Sequence, residues 1–460
     1  MPFASRTPGP PPLEAALEAL VATAREGATV LPRPPAFGAA LARLRATDWE
    51  RPAPELAAVV AEALAEAEIH PAGRRYFGMP HGTPSVAAVL GAALAAAHDP
   101  ELATRHHAPF GVGAERELAA ALTRRLMPGA EARGHFTTGA SEANLAAVLL
   151  ALCARFPAYP RRGLCGVERA PRIYASADAH PSVQKAARVA GLGTDAVRLV
   201  AVDRAHRMRP DALADAIGRD RRERTPLLVV ATAGTTTVGA LDPLPEVGTV
   251  ARRAGCWLHV DAAYGGMLAL APGARHELAG IEAADSVAFD PHKTLDVPLG
   301  LGLFCTRRPE LLRLAFGVSA RYLPRAADEP WATTLGWSRP FRALPLLLAL
   351  GARGLSGVAS AVEHKLALGR RLGAALRARG FEPRNETPLP VVCFVDARVA
   401  DGGSARHLAA LAESARQRAG AYLPLVRLPD GAPVLRACVT SERTTGEDVE
   451  ALVAALDAGR

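Results

Sequence analysis

Lysine is nearly missing from this chain. Of 54 basic side chains only Lys185, Lys293 and Lys365 are lysines, and the rest are arginines. A composition that has put arginine almost everywhere keeps lysine where a guanidinium cannot serve. A guanidinium stays protonated, whereas a buried ammonium can lose its proton and attack an aldehyde. Lys293 is therefore the candidate covalent anchor for an aldehyde cofactor.

Other absences narrow the field further. The six cysteines (Cys153, Cys165, Cys256, Cys305, Cys393 and Cys438) are scattered without C-x-x-C spacing, and most lie in apolar runs such as VVCFV and LGLFC. That favours buried reduced thiols over disulfides or a zinc site. Aromatics make up 5% of the residues and are not interleaved with basic blocks, so the net charge of +8 reads as a solvated arginine surface rather than a nucleic-acid face. The alanine/leucine runs near 85–97 and 145–155 fall short of the roughly 20 residues a membrane span needs. The proline-rich start, MPFASRTPGPPP, lacks a basic-then-apolar leader pattern. The expectation is a cytoplasmic protein with no membrane and no nucleic-acid partner. No internal repeat is evident.

What remains is a long chain, 460 residues with 49% apolar content, enough for a large core with smaller appendages. Residues 1–12 read as a loose arm. From Leu13 to about Glu68 apolar residues recur at helical spacing, broken at the prolines near 32–35 and 52–54. RRYFGMPHGTPS (74–85) reads as a loop, and loops of this composition often line sites. A helix is expected around 114–126. In GHFTTGASEANLAAVLLALCARF (134–156) small and hydroxyl residues lead into an apolar helix, whose first N–H groups suit an anion; Ser141 also suits a plain N-cap.

Apolar β-prone runs then alternate with helical patterns. The strands are expected at 172–177, 197–202, 227–233, 257–262, 286–290 and 301–305, with helices at 181–190, 211–218 and 244–254. This predicts a largely parallel sheet covered on both faces, with its site at the strands' carboxyl ends. His180, Thr235–Thr237, Asp261 and the His292–Lys293 pair all fall there. Residues 306–340 form an irregular stretch with the character of a lid. Helix from 341, strands at 391–396 and 434–440, and helices at 405–418 and 446–458 predict an α+β C-terminal domain. The division is 1–72 helical segment, 73–340 large domain and 341–460 small domain.

These residues form a kit for pyridoxal phosphate (PLP). Lys293 supplies the amine. Asp261 pairs with the pyridinium nitrogen and keeps it protonated, so the ring can accept electrons. His180 stacks on the ring, and the Gly139–Ser141 turn holds the phosphate with His292 nearby. Each has a bland alternative: Asp261 a helix cap, His180 a surface turn, His292 a satisfied core histidine. A zinc site from His180, Asp261 and His292 lacks any local ligand spacing.

The pieces TTGASEANL (137–145), HPSVQKA (180–186), TAGTTTVGALDPL (232–244), WLHVDAAYGG (257–266), ADSVAFDPHK (284–293) and VLRACVTSERTT (434–445) resemble, in order, the group II PLP-dependent amino-acid decarboxylases, such as those for aromatic amino acids, glutamate and diaminobutyrate. The resemblance implies an α/β fold of the aspartate-aminotransferase-like fold type I, with active sites at the interface of a homodimer. It implies Lys293 as the covalent anchor, Asp261 on the pyridine nitrogen, Ala263 under the ring and His180 above it. Gly139, Ala140 and Ser141 would hold the phosphate, Thr235 would lie near the cofactor hydroxyl, and Asp290 and His292 would complete the site. The implied activity is decarboxylation of the α-carboxylate of an L-amino acid to an amine.

Three departures stand out. Thr294 replaces the usual tryptophan after the histidine–lysine pair, and Pro345 stands where the family pattern has lysine. Between Leu323 and Phe341, where the family carries a loop tyrosine that protonates the carbon left by carbon dioxide, there is none, only Trp331 and Trp337; Tyr322 lies just before. Without that donor the carbanion can react with oxygen instead, so oxidative deamination to an aldehyde, or another PLP carbanion reaction, is the alternative route. Phe77 and Phe110 point toward an apolar or aromatic substrate, while His81 and the arginines leave an acidic one open.

Overall fold

In the computed structural model, residues 34–47, 50, 56–66, 68–129, 131–319 and 328–460 are described. The N-terminal arm, the start of the first expected helical stretch and Tyr322 lie outside them. Seven strands form the main sheet: β1 (Arg133–Thr137), β2 (Pro171–Ser176), β3 (Val197–Val200), β4 (Thr225–Thr232), β5 (Trp257–Asp261), β6 (Ser286–Phe289) and β7 (Gly302–Thr306). Their order is β1-β7-β6-β5-β4-β2-β3. The run from β3 to β6 is parallel, while β7 lies antiparallel to both β6 and β1.

Strands β4 to β7 are buried at every position, which is why they read as continuous apolar runs. Alternate residues still part to opposite faces. Val229, Ala231, Val260, Phe289 and Leu303 enter one core, with Leu122, Leu213, Val247 and Val362 from the helices Pro109–Leu126, Pro210–Asp220, Leu244–Ala254 and Leu344–Ala378. Leu228, Val230, Ala288 and Phe304 enter the other, under the helices Ala140–Arg155 and Ser182–Val189. The expected strands and helices fall close to these bounds. β1 was not anticipated, because its five residues, RGHFT, are only half buried and carry no apolar run.

A second, antiparallel sheet has the order β10-β11-β9-β8, from β8 (Phe381–Pro383), β9 (Val391–Asp396), β10 (Leu425–Arg427) and β11 (Pro433–Cys438). The helices Ala405–Ala419 and Gly446–Asp457 pack on it around Phe394, Leu411 and Leu452. Thr445 and Asp448 form a reciprocal capping box at the start of the last helix. Asp448 also pairs with Arg74 and Arg75, each at 2.8 Å. With Tyr76 stacked on Tyr422 at 5.3 Å, this ties the 74–77 loop to the small sheet. Five cysteines are buried free thiols and Cys165 is exposed.

Among the described residues one helix, Leu344–Ala378, is long and apolar enough by composition to cross a bilayer. It packs along Val86–His98, breaks its helical geometry at Gly354 and buries the charged Lys365.

Candidate active site

The parallel strands β4, β5 and β6 all end at one cavity of about 350 Å³. Asp261, the last residue of β5, is 5% exposed. Its Oδ1 accepts from the Ala263 N–H at 3.1 Å and its Oδ2 from Asn144 Nδ2 at 2.8 Å. The chain then turns sharply, and here only glycine fits. A Cβ on Gly265 would lie 2.3 Å from the Ala233 carbonyl oxygen. Ala263, on the same turn, lines the cavity.

Beyond β6, Asp290 leads into the single helical turn Pro291–Thr294, which carries His292 and Lys293. Lys293 Nζ pairs with Asp290 Oδ2 at 3.1 Å, and its side chain is 27% exposed, toward the cavity it lines. Asp290 Oδ1 accepts from the Ala140 N–H at 2.7 Å. One buried carboxylate thereby ties the lysine turn to the N-terminus of the Ala140–Arg155 helix. His292 Nδ1 donates to the Leu301 carbonyl at 2.8 Å, and its Nε2 lies 3.8 Å from Asp290. His180 Nδ1 accepts from the Ser182 N–H at 3.1 Å. Burial, with Lys293 adding to it, lowers the His180 pKa below the usual histidine value against the opposing pull of Asp261, so the ring is neutral at pH 7. Burial and then His292 lower His81 in the same direction.

Gly139, Ala140 and Ser141 line the cavity at the start of the Ala140–Arg155 helix. The N-cap residue Gly139 has no side chain to cap the helix and the Ala140 N–H is taken by Asp290, so the helix brings its positive dipole end, at Ser141, to the cavity. β7 presses on the same turn. A Cβ on Gly302 would sit 2.5 Å from Gly139 Cα.

Nine of the ten residues singled out above therefore line one cavity. The exception is Thr235, whose Oγ1 accepts from the Ala240 N–H at 3.0 Å and closes the turn after β4. Thr236 faces the cavity in its place, together with Thr232. The two phenylalanines also lie elsewhere: Phe77 is fully buried in the C-terminal core, and Phe110 is 72% exposed, edge-on to Phe341. Neither lines the cavity of this chain.

Sequence reasoning passed over Asn144, Ser182 and Arg436, and named Thr236 only within the 235–237 run. Arg436 is 2% exposed, and it donates to the Thr236 and Gly78 carbonyls at 2.8 and 3.2 Å. Its Nε has no partner among the described residues. Its signal was present, since an arginine inside an apolar strand pattern needs a reason. The residues fit a phosphorylated pyridoxal. An anion has the helix N-terminus, an aldehyde has Lys293, and a ring nitrogen has Asp261. The buried Thr232 hydroxyl, with no partner of its own, adds a polar group to the lining.

A mostly parallel seven-stranded sheet with this lysine, aspartate and helix terminus at its strand ends defines a pyridoxal-phosphate protein of the aspartate-aminotransferase-like α/β fold. Residues 83–396 match the pyridoxal-dependent decarboxylase conserved domain, and the chain belongs to that family. It is 37% identical to the human cysteine sulfinic acid decarboxylase over 296 residues, 62% of this chain and 60% of that protein, so the match spans under two thirds of the relative's length. To the L-2,4-diaminobutyrate decarboxylase of Rhizobium meliloti it is 33% identical, over 72% of this chain and 68% of that one. Among solved structures, mouse CSAD superposes with a TM-score of 0.89 at 27% identity, covering 97% of each chain. Oryza sativa TDC with PLP and tryptamine gives 0.87 at 25%, covering 97% of this chain and 96% of that one.

Proposed function

We propose that the protein removes the α-carboxylate of an L-amino acid with a short polar side chain, giving the amine and carbon dioxide. The observation that carries this reading is the convergence of Lys293, Asp261, His180 and the Ala140 helix terminus on one cavity. When bound, pyridoxal phosphate supplies the electron sink for the pair left on Cα as carbon dioxide departs. Lys293 would hold the aldehyde carbon and could accept or return protons at Nζ, a nitrogen that Asp290 holds in place. Asp261 would hold the ring nitrogen and favour its protonated form. His180, neutral, would cover a ring face. Arg436, bonded to the cavity-lining Met79 and to the carbonyl of Thr236, puts a cation behind the cavity wall that favours an anionic group within it. The names of the relatives support a small polar substrate, since they act on cysteine sulfinic acid and 2,4-diaminobutyrate. As in our reading of the sequence, the working unit is a homodimer; the exposed apolar Leu90, Leu94 and Leu335 give it material for a contact face. The free, mostly buried thiols support a reducing compartment, which we take to be the cytoplasm.

A second reading rests on the missing loop tyrosine. If no group protonates Cα promptly, dioxygen takes up the electron pair. The amino acid, dioxygen and water then give aldehyde, carbon dioxide, ammonia and hydrogen peroxide. The deciding experiment incubates the PLP-loaded protein aerobically with cysteine sulfinate, aspartate, glutamate, 2,4-diaminobutyrate and aromatic amino acids, with Lys293→Ala as control. Amine, aldehyde, carbon dioxide and peroxide are followed together. Amine without peroxide from a short polar substrate is expected. Aldehyde with stoichiometric peroxide would replace the first reading by the second, and no product from any substrate would overturn both.

A further inference from the structure

Behind Asp261 runs a chain of buried side chains that the chemistry above does not use. Asn144 Nδ2 donates to Asp261 Oδ2 and to Ser182 Oγ, each at 2.8 Å. With both amide hydrogens committed, Asn144 Oδ1 is an acceptor. It faces His259 Nε2 at 2.9 Å, so that nitrogen carries the proton. His259 Nδ1 is then a lone pair, and it accepts the Ser286 hydroxyl hydrogen at 2.8 Å. Ser286 Oγ in turn accepts from Trp257 Nε1 at 2.8 Å. Every hydrogen has one place to go, and all the donors from Trp257 onward point toward the aspartate. The members sit on β5, β6 and the Ala140–Arg155 helix, the three elements that also carry the site.

The histidine at the centre is fully buried, 0% exposed. Burial lowers its pKa to about 4. A neutral imidazole matches the hydrogen count: a proton on Nδ1 would take away the acceptor that the Ser286 hydroxyl hydrogen now has. Chains of this kind fix a side chain because reversing one member leaves another unsatisfied in a low-dielectric interior.

We propose that His259 is a positioning residue for the cofactor: acting through Asn144, it locks the Asp261 carboxylate in the orientation that meets the ring nitrogen. Without His259, the Asn144 amide loses the contact that fixes which end faces Asp261. Rotation of that amide would turn an oxygen toward the carboxylate. The inference rests on the cofactor of the family and not on the choice of substrate or product.

The test measures the PLP dissociation constant and the 15N resonance of ring-labelled PLP in the reconstituted full-length protein. His259→Leu, of similar volume, is expected to weaken PLP by roughly tenfold, the low end of what outer-shell partners contribute at metal sites, and to move the resonance away from its protonated position. Asn144→Ala is expected to do the same, and His259→Leu added to Asn144→Ala to cost less than a further twofold. Ser286→Ala removes one oxygen and leaves the packing intact, so it serves if the histidine variant folds poorly; it is expected to weaken PLP severalfold and shift the resonance in the same direction. Losses that multiply in the double variant, or an unchanged 15N resonance in His259→Leu and Ser286→Ala, would overturn the proposal. A failed substrate panel beside a shifted resonance would instead count against the decarboxylase reading alone.

Discussion

At His259 one side chain serves two kinds of energetics, and pH separates them. The folded protein holds the ring neutral down to about pH 4, while an unfolded chain protonates it near the usual histidine value of about 6.5. The unfolded state therefore binds the extra proton as the pH falls. Stability contributed by neutral His259 is intact above pH 6.5 and is lost as the pH drops toward 4. The slope is about 1.4 kcal/mol per pH unit for one proton. His259→Leu keeps nothing to protonate, so its deficit relative to the parent is expected to be about 2 kcal/mol smaller at pH 5 than at pH 7.5. Urea unfolding of the cofactor-free proteins at both pH values measures this. Equal deficits would mean that the folded ring titrates as it does in the unfolded chain.

The same scale shows what a sequence can announce. Lys293 stood out because lysine is so scarce, and the structure sets it in the cavity lining beside Asp290. Asp261 and His180 stood out because strand ends collect sites. Asn144 and His259 stood in quoted motifs yet carried no signal of their own, since an asparagine in a helix and a histidine in an apolar strand become informative only when their partners are known. Thr235 and Thr236 illustrate the limit. Two identical neighbours cannot be told apart by spacing, and the local turn decides which hydroxyl is spent on the Ala240 N–H.

Among elements, continuous apolar strands were easy to place because burial on both faces removes any need for polar alternation. Bounds agreed where local chemistry is decisive. The helix Leu244–Ala254 has proline in its first turn and Gly255 in the left-handed conformation after its last, φ 69°, and it was expected at 244–254. Direction was less legible. Nothing in LGLFC says that β7 runs antiparallel, and that reversal is what brings Gly302 against the phosphate-side turn. The three-residue strands β8 and β10 are too short to leave a pattern. Gly302→Ala tests the consequence of the reversal. Its methyl would need space now held by Gly139 Cα and Thr137 Oγ1, both at 2.5 Å. The expected cost is about 1–3 kcal/mol in unfolding free energy from overpacking, with PLP affinity at least tenfold weaker because the displaced turn carries the first N–H groups of the Ala140–Arg155 helix. A variant that binds PLP like the parent would show that the turn can retreat without harm to the site.

Across the whole molecule, the link between the small sheet and the lysine turn is a buried charge cluster. Lys365, on the long helix Leu344–Ala378, is 1% exposed and donates to the Thr294 carbonyl at 3.0 Å and to Asp296 at 2.9 Å. Arg353 from the same helix reaches Asp296 at 3.3 Å and also pairs with Glu442, beside the small domain. Asp296 itself has a left-handed backbone, φ 54°, three residues after Lys293. A second of the three lysines thus grips the turn that carries the first. Here lysine suits the space as a compact point charge with three donors, where a planar guanidinium would not. Replacing a buried ion pair by apolar groups can be neutral, but removing one partner leaves a charge without its counterion. Lys365→Met should therefore cost about 3–5 kcal/mol in urea unfolding, and adding Asp296→Asn should recover much of it. If the single variant loses under 1 kcal/mol, Arg353 alone must satisfy Asp296, and the long helix would be a passive strut. If the loss is large and PLP binding weakens with it, the small domain and the cofactor site are coupled through Asp296, because the same cation that holds the fold together also fixes the turn from which Lys293 reaches the cavity.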